Sequence, residues 1–173
     1  MKKIVALMAI LASLNLWAIS VGEKPKEVTI SGDNGGMAKD GSAWSSKSIK
    51  DKVYVMFYVD PDEKDLNEAF SDALKAKKYR EKGAYGSIAV VNLAATWKPN
   101  VIIESLLKSK QEEFPQTIYV KDKNSVLVKE WELADDNSDI VIFDKDGKVL
   151  FYKAGKMSIK DMQKAFTVIE ENI

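Results

Sequence analysis

The sequence predicts one α/β domain with a central mixed sheet, parallel βαβ units, a C-terminal antiparallel hairpin and helices on both faces. Two apolar strands, at residues 52–60 and 87–95, are each followed by an amphipathic helical pattern, which is typical of parallel strands joined by crossover helices. Two more strands, at 139–144 and 148–153, are joined by a turn at 145–147, which indicates a hairpin. A chain of 173 residues, 46% of them hydrophobic, is long enough for one such core.

Residues 1–20 have the composition of a secretory signal peptide. Two lysines precede an apolar run at residues 4–16, and small residues follow at Ala18 and Ser20. The run is short for the ~20 apolar residues that span a bilayer, so we expect a leader that is removed rather than an anchor. The small-x-small pattern predicts cleavage before Val21, with a cut directly after Ala18 as the alternative.

The composition excludes several kinds of chemistry. The expected mature domain, residues 21–173, has 24 basic and 26 acidic residues, a formal charge of −2, and so offers no field for nucleic acid or an anionic membrane. The chain has no cysteine, which excludes disulfides, a thiol nucleophile, a thiolate metal site and a lipid-anchored cysteine. It has no histidine, which removes the residue behind most zinc sites and imidazole catalysis. No cofactor is expected.

The first half of the domain places a buried strand before an acidic turn. Residues 26–31 alternate like a short strand, and the glycine-rich residues 32–36 are typical of a reversing turn. The apolar run that ends at Asp60 is expected to be the central strand, because it is apolar on both faces. Asp60, Pro61 and Glu63 then match a helix start, with an N-cap, a proline at the first helical position and a glutamate three residues after the cap.

The second half follows the same alternation of strands and helices. A helix that runs to about Glu113 is indicated by four apolar residues, Val101, Ile102, Leu106 and Leu107. A strand is expected at 114–121 and a short helix at 124–133. Ser158 and Asp161 open the last helix like a capping box.

The order of these elements and the last third of the chain resemble a known family. The order resembles the thioredoxin fold, and residues 114–149 are similar to the second half of peroxiredoxin-like and TlpA-like extracytoplasmic domains. The WEL at 131–133 and the NSDIVIFDKDGKVLFYKAG at 137–155, with the leader and the closing helix, resemble the YtfJ family of small periplasmic thioredoxin-like proteins. The resemblance implies a thioredoxin-like fold, a periplasmic location and an unknown role. The label "transcriptional regulator" is also attached to that family. This role is disfavoured here, because a secreted acidic domain without a recognition-helix motif is not suited to bind DNA.

The resemblance also implies that the redox groups of the wider superfamily are missing. Aligning the central strand puts Asp62 and Asp65 in the two cysteine positions, and aligning the hairpin puts Ser138 where redox members have a cis-proline. Thiol–disulfide exchange requires a thiolate, so disulfide reductase, isomerase and peroxidase activities are excluded. We expect a domain without redox activity.

Seven residues form the candidate ligand-facing surface. In a thioredoxin-like fold, the loop before the hairpin lies beside the tip after the central strand, and α/β sheets bind ligands at this edge. The candidates are Asp60, Asp62, Asp65, Trp97, Asp135, Asp136 and Ser138. Each candidate also has a purely structural interpretation. Acidic residues cap and start helices, residues in loops are commonly solvated, and large aromatic side chains often pack in cores.

Three functional hypotheses follow. The leading one is a secreted, non-catalytic domain that binds a periplasmic protein or peptide at this surface. The second is a carboxylate-based divalent-metal-binding protein or hydrolase, because hard cations prefer clustered carboxylates. The third is a DNA-binding regulator, which the composition disfavours. No contact with nucleic acid, and none with a membrane after leader removal, is expected, and the oligomeric state stays open.

Overall fold

The computed structural model describes residues 18–79, 83 and 85–173, so most of the expected leader lies outside the described residues. The strands are β1 (Thr29–Ile30), β2 (Gly35–Met37), β3 (Trp44–Ser45), β4 (Val53–Val59), β5 (Tyr85–Asn92), β6 (Thr117–Asp122), β7 (Ser138–Phe143) and β8 (Val149–Lys153). The α-helices are α1 (Glu68–Ala76), α2 (Asn100–Glu113), α3 (Val126–Trp131) and α4 (Ile159–Asn172). None of the helices in this part of the chain has the length and apolar composition needed to cross a bilayer.

Six of the strands form one mixed sheet in the order β2-β6-β5-β4-β7-β8. The three central strands β6, β5 and β4 are parallel, whereas β7 runs antiparallel to β4, and β8 and β2 run antiparallel to their neighbours. Strands β1 and β3 form a separate two-stranded sheet. The predicted fold class, with parallel βαβ units and a C-terminal hairpin, is confirmed.

Helices cover both faces of the sheet. Because side chains alternate along a strand, Val55 and Met56 of β4 point to opposite faces. Val55 packs in the cluster that contains α1 and α4, and Met56 packs in the cluster that contains α3 and the N-terminal segment. Helix α2 covers the outer part of the first face through Ile103 and Leu107. The central strand is therefore buried on both sides, as its apolar run predicted.

The predicted helix start at Asp60 is wrong. Helix α1 begins at Glu68, eight positions later, and the intervening residues form successive turns. The Oδ1 atom of Asp60 accepts a 2.8 Å bond from the N–H of Asp62, so the aspartate caps a turn instead of a helix. Asn67 accounts for the later helix start. Its side chain is hydrogen-bonded to two distant segments, and these bonds fix the backbone of the residues before α1. Tertiary hydrogen bonds override the local signature here.

The expected reversing turn at 32–36 is only partly correct. Residues Gly32–Asn34 form one 3₁₀ turn, but Gly35 and Gly36 belong to the edge strand β2, which pairs with β6. A Cβ atom at Gly35 would lie 1.9 Å from the carbonyl oxygen of Lys121. Glycine is required there because the backbones of two strands approach closely, and a composition rule for turns does not detect this.

Candidate functional site

The candidate residues lie where the parallel strands end. Strands β4 and β5 end at residues 59 and 92, and the antiparallel strand β7 starts beside the end of β4, with Ser138 opposite Val59. The backbone N–H of Asp60 donates a 2.8 Å bond to the carbonyl of Asn137. The structure therefore brings the acidic tip, defined as residues 60–65, next to the loop that precedes β7.

Asp60 lies inside this junction and not on its surface. Its side chain and backbone are 4% exposed in total. Burial raises the pKa of Asp60, and the neighbouring charges of Asp62 and Asp136 raise it further, while the N–H of Asp62 stabilises the charged form. Asp60 holds the tip in place, which leaves little of the side chain for a ligand.

Asp62 links the acidic tip to the loop after β5. Its carboxylate binds the ammonium group of Lys98 and accepts a 2.7 Å bond from the hydroxyl of Thr96. These two bonds, that of Lys98 first, lower the pKa of Asp62. Since Thr96 and Lys98 flank Trp97 in sequence, Asp62 ties the acidic tip to the tryptophan loop.

The other candidates differ in exposure. Asp65 is exposed and pairs with the neighbouring Lys64 at 2.6 Å. Asp135 and Asp136 are exposed, and Asp135 accepts a 2.9 Å bond from the side-chain amide of Asn92 at the end of β5. Ser138, predicted to face a ligand, is 1% exposed, because it pairs with Val59 of β4 and its hydroxyl accepts a 3.3 Å bond from the buried amide of Asn67. Its side chain lies inside the fold and does not belong to the surface.

Asn67 is a positioning residue that the sequence did not single out. It is 5% exposed, and its Nδ2 atom donates to the carbonyl oxygens of Ser138 and Gly155, both at 3.1 Å. Its Oδ1 atom accepts a 2.9 Å bond from the N–H of Met157. One buried amide therefore joins the start of α1 to β7 and to the loop before α4. No signal in the sequence indicates this role, because the helix start expected at Asp60 places Asn67 inside the helix.

A second buried polar group supports the ends of β4 and β6. The carboxylate of Asp122 is 0% exposed and accepts bonds from the N–H groups of Val126 at 2.8 Å and Leu127 at 3.1 Å. The phenol of Tyr58 donates to the same carboxylate at 3.2 Å. Burial and this negative charge raise the pKa of Tyr58 far above its ordinary value, so the phenol stays protonated. Asp122 therefore caps α3 from inside the core.

A third buried carboxylate lies one residue beyond Ser138. Asp139 is 0% exposed, and its Oδ2 atom accepts bonds from the N–H of Ala134 at 2.8 Å and from the hydroxyl of Tyr152 at 3.2 Å. Its Oδ1 atom is buried without a hydrogen-bond partner. Burial raises the pKa of Asp139, against the effect of these donors, and burial also raises the pKa of Tyr152 to about 12. This pair anchors the loop before β7 to β8.

An exposed apolar surface begins beside the acidic tip. Trp97 is 86% exposed and Val101 is 73% exposed, followed by Leu106 at 59% and Ile102 at 52%. Only Ile103 and Leu107 of α2 are buried, so the rest of the apolar residues on this helix face solvent. We call Trp97, Val101, Ile102 and Leu106 the α2 apolar face. Of these four residues, the sequence predicted only Trp97 as part of a ligand-facing surface. Helical periodicity does not tell which apolar residues of α2 pack against the sheet and which stay exposed.

The acidic residues are not arranged around a common ion position. Among residues 18–79, 83 and 85–173, no group of three or more acidic side chains is placed to hold a metal ion. Asp60 and Asp62 are instead occupied by backbone N–H, lysine and threonine donors. The geometry thus gives no support to the metal-binding alternative.

A family model described as "Bacterial protein of unknown function (YtfJ_HI0045)" matches residues 16–172. The chain belongs to this family. It is 24% identical to the uncharacterized protein YtfJ of Escherichia coli K12, over 99% of this chain and 97% of that protein. It is 27% identical to an uncharacterized protein of Haemophilus influenzae, over 73% of this chain and 70% of that protein. The resemblance to the YtfJ family is therefore confirmed, and the family's description assigns no activity.

Solved structures confirm the thioredoxin-like fold of this family member. The thioredoxin domain of a thiol-disulfide oxidoreductase from Bacteroides vulgatus superposes with a TM-score of 0.62, at 12% identity, over 90% of this chain and all of that domain. At this identity the likeness extends to the fold alone. Redox chemistry does not carry over, because the chain has no cysteine.

Proposed function

We propose that this protein is a secreted, non-redox binding module that recognises a protein or peptide segment rich in apolar and basic side chains. The α2 apolar face supports this proposal, with four large apolar side chains more than half exposed within ten residues of the chain. Burying a side chain of this kind contributes about 1.5–3 kcal/mol. Large apolar side chains that stay exposed near one another are typical of an interaction surface.

The charge next to this face supports a basic partner. Five exposed acidic residues lie on the tip and on the loop beside it, namely Asp62, Glu63, Asp65, Asp135 and Asp136. The ammonium groups nearby, Lys64 and Lys98, are already bound to tip carboxylates. A partner with lysine or arginine residues beside apolar ones would match both parts of the surface. The exposed ring of Trp97 can also bind a cation over its face.

Positioning by the scaffold supports the same proposal. Asp62 holds the loop on both sides of Trp97, so the tryptophan is presented at a defined place relative to the acidic tip. Asp60 and Asn67 fix the tip itself through buried bonds. A rigid surface loses less conformational entropy on binding than a loop that must first become ordered.

Site-specific photo-cross-linking in the periplasm tests the proposal. A photoreactive residue replaces Leu106 on the α2 apolar face in one variant and Ile159 in the matched control, since Ile159 is also exposed, at 72%, but lies on α4. We expect a defined adduct from position 106 and none from position 159. Replacing Glu63 and Asp65 with lysine should reduce the adduct several-fold, because a basic partner would be repelled while the bonds of Asp62 to Thr96 and Lys98 are kept.

Two results would overturn the proposal. Equal adducts from positions 106 and 159 would show that the α2 apolar face is not a specific surface. An adduct from position 106 with the mass of a second copy of this chain would assign the face to self-association.

A further inference from the structure

The last two residues of the expected leader, Ile19 and Ser20, are part of the folded domain. Ile19 is 8% exposed and belongs to the apolar cluster that contains Val28 and Trp131. Its backbone N–H donates a 2.9 Å hydrogen bond to the carbonyl oxygen of Trp131. Trp131 is the last residue of α3, where carbonyl groups have no partner inside the helix. Ile19 therefore fills an apolar position and satisfies the end of a buried helix.

The residues after Ile19 continue this attachment. The N–H of Glu23 donates to the carbonyl of Ser20 at 3.1 Å and closes a turn. Gly22 and Glu23 then bind the backbone of Val149 at 2.8 and 2.9 Å, which extends the edge of β8. By contrast, Val21 is 62% exposed and contributes little to the core. The folded domain thus includes Ile19 and Ser20, which precede Val21.

We propose that the leader is removed by hydrolysis of the peptide bond between Ala18 and Ile19, so that Ile19 is the first residue of the mature protein. Water adds across this bond, which leaves a carboxylate on Ala18 and an amino group on Ile19. Ala18 is partly exposed and supplies the small side chain that a signal peptidase requires immediately before the cut. The proposal rests on the secretion that forms part of the proposed function, and it adds the processing site.

The physical argument is a comparison of the two possible cuts. A cut before Val21 would remove Ile19 from the core, and it would remove the Ser20 carbonyl that closes the turn with Glu23. A cut after Ala18 keeps both, and the new ammonium group at Ile19 keeps a donor for the Trp131 carbonyl as a charge-assisted bond. The small-x-small pattern in the sequence favours the first cut, whereas the packing of the domain favours the second.

The first test uses the full chain with its own leader. The protein is expressed, recovered from the periplasm and examined by intact mass and N-terminal sequencing. We expect a chain that begins Ile-Ser-Val-Gly. A chain that begins at Val21 would overturn the processing site while leaving secretion intact. A chain that keeps Met1 and stays in the cytoplasm would overturn both the processing site and the secretion in the proposed function.

The second test asks whether Ile19 stabilises the mature protein. Ile19→Ala and Val21→Ala are made in the same full chain, and the processed proteins are melted. We expect Ile19→Ala to lower Tm by roughly 5 °C, because a buried side chain is truncated, and Val21→Ala to leave it within about 1 °C. Equal melting temperatures for the two variants and the parent would overturn the structural role of Ile19 on which the processing site rests.

Discussion

The side-chain amide nitrogen of Asn67 lies 3.1 Å from the carbonyl oxygen of Ser138 and 3.3 Å from its hydroxyl oxygen. This pair joins the segment before α1 to the first residue of β7, two regions that are 71 residues apart in the chain. The resemblance to redox thioredoxins places their cysteines and their cis-proline in these same two regions. Here a buried polar contact holds the regions together, and the acidic tip is built around it.

Replacing Asn67 with alanine should strongly destabilise the protein. The change leaves the carbonyl groups of Ser138 and Gly155 and the N–H of Met157 buried without their partner. We expect a loss of about 3 kcal/mol in the free energy of unfolding, measured by urea denaturation. Asn172→Ala is the control, because Asn172 is exposed and makes a single bond to the carbonyl of Val168. A loss from Asn67→Ala no larger than that of the control would contradict the role of Asn67.

Removing the Asp122 carboxylate, which caps α3, should lower the free energy of unfolding more than removing the Tyr58 hydroxyl that donates to it. Asp122→Ala leaves the N–H groups of Val126 and Leu127 and the phenol of Tyr58 without an acceptor, for an expected loss of about 3 kcal/mol. Tyr58→Phe leaves the carboxylate with its three backbone donors, the N–H groups of Asn124, Val126 and Leu127, so we expect a loss of about 1 kcal/mol. Chemical denaturation measures both values. The reverse order of the two losses would show that Asp122 is not the cap.

The buried Asp139 should give the protein a pH-dependent stability of defined sign. Its pKa in the folded state is raised above the ordinary value of 3.8, so the folded protein holds a proton there more tightly than the unfolded chain does. The stabilisation from this group is therefore fully present below pH 3.8 and is lost as the pH rises through the folded-state pKa. Near neutral pH, the buried charge lowers the stability.

Asp139→Asn should remove this dependence. The free energy of unfolding of the parent minus that of the variant should decrease as the pH rises from about 4 to about 7, which urea titrations at each pH would measure. Tyr152→Phe removes a hydroxyl that favours the charged form, so it should raise the pKa of Asp139 further and shift the window to higher pH. A parent and an Asp139→Asn variant with parallel pH curves would show that this carboxyl does not titrate differently on folding.

Divalent cations should leave the stability unchanged. The carboxylates of Asp60 and Asp62 are bound to protein donors, and ion binding would have to replace those bonds. We expect millimolar Ca²⁺ or Mg²⁺ to shift Tm by less than about 1 °C, because only a ligand that binds the folded state raises it. A larger rise in Tm that disappears in the Asp62→Asn variant would support the metal-binding hypothesis.

Tryptophan fluorescence should report the exposure of the α2 apolar face. Trp97 is 86% exposed, whereas Trp44 and Trp131 are 2% and 0% exposed. Trp97→Phe should therefore remove most of the emission that acrylamide quenches, and it should change the free energy of unfolding by less than about 0.5 kcal/mol. An unchanged quenchable fraction in the variant would mean that Trp97 is covered in solution.

The local sequence pattern was sufficient to predict the architecture of the sheet. The run at 52–60 is apolar on both faces and became the central strand, and the turn at 145–147 became the hairpin between β7 and β8. The capping box at Ser158 also formed as expected. These features depend on side-chain periodicity and on turn geometry, which neighbouring residues determine.

Local pattern was insufficient wherever distant segments meet. Asp60 matches a helix start, yet the helix begins at Glu68, because Asn67 is held by bonds to β7 and to the loop before α4. Ser138 was expected on the surface and lies in the interior, where it pairs with Val59 of β4 and its hydroxyl contacts the buried amide of Asn67. Hydrogen bonds between residues 71 or more positions apart leave no periodic trace in the chain.

The amino-acid sequence alone established the fold class, the family resemblance and the absence of thiol and imidazole chemistry, since each depends on which residues are present and in what order. Only the folded structure decided which polar residues are buried supports and which apolar residues remain on the surface. Asp60 and Ser138 became interior groups, while Val101, Ile102 and Leu106 stayed exposed. The physical reason is that burial depends on which elements pack against each other, and α2 buries only Ile103 and Leu107 of its apolar residues.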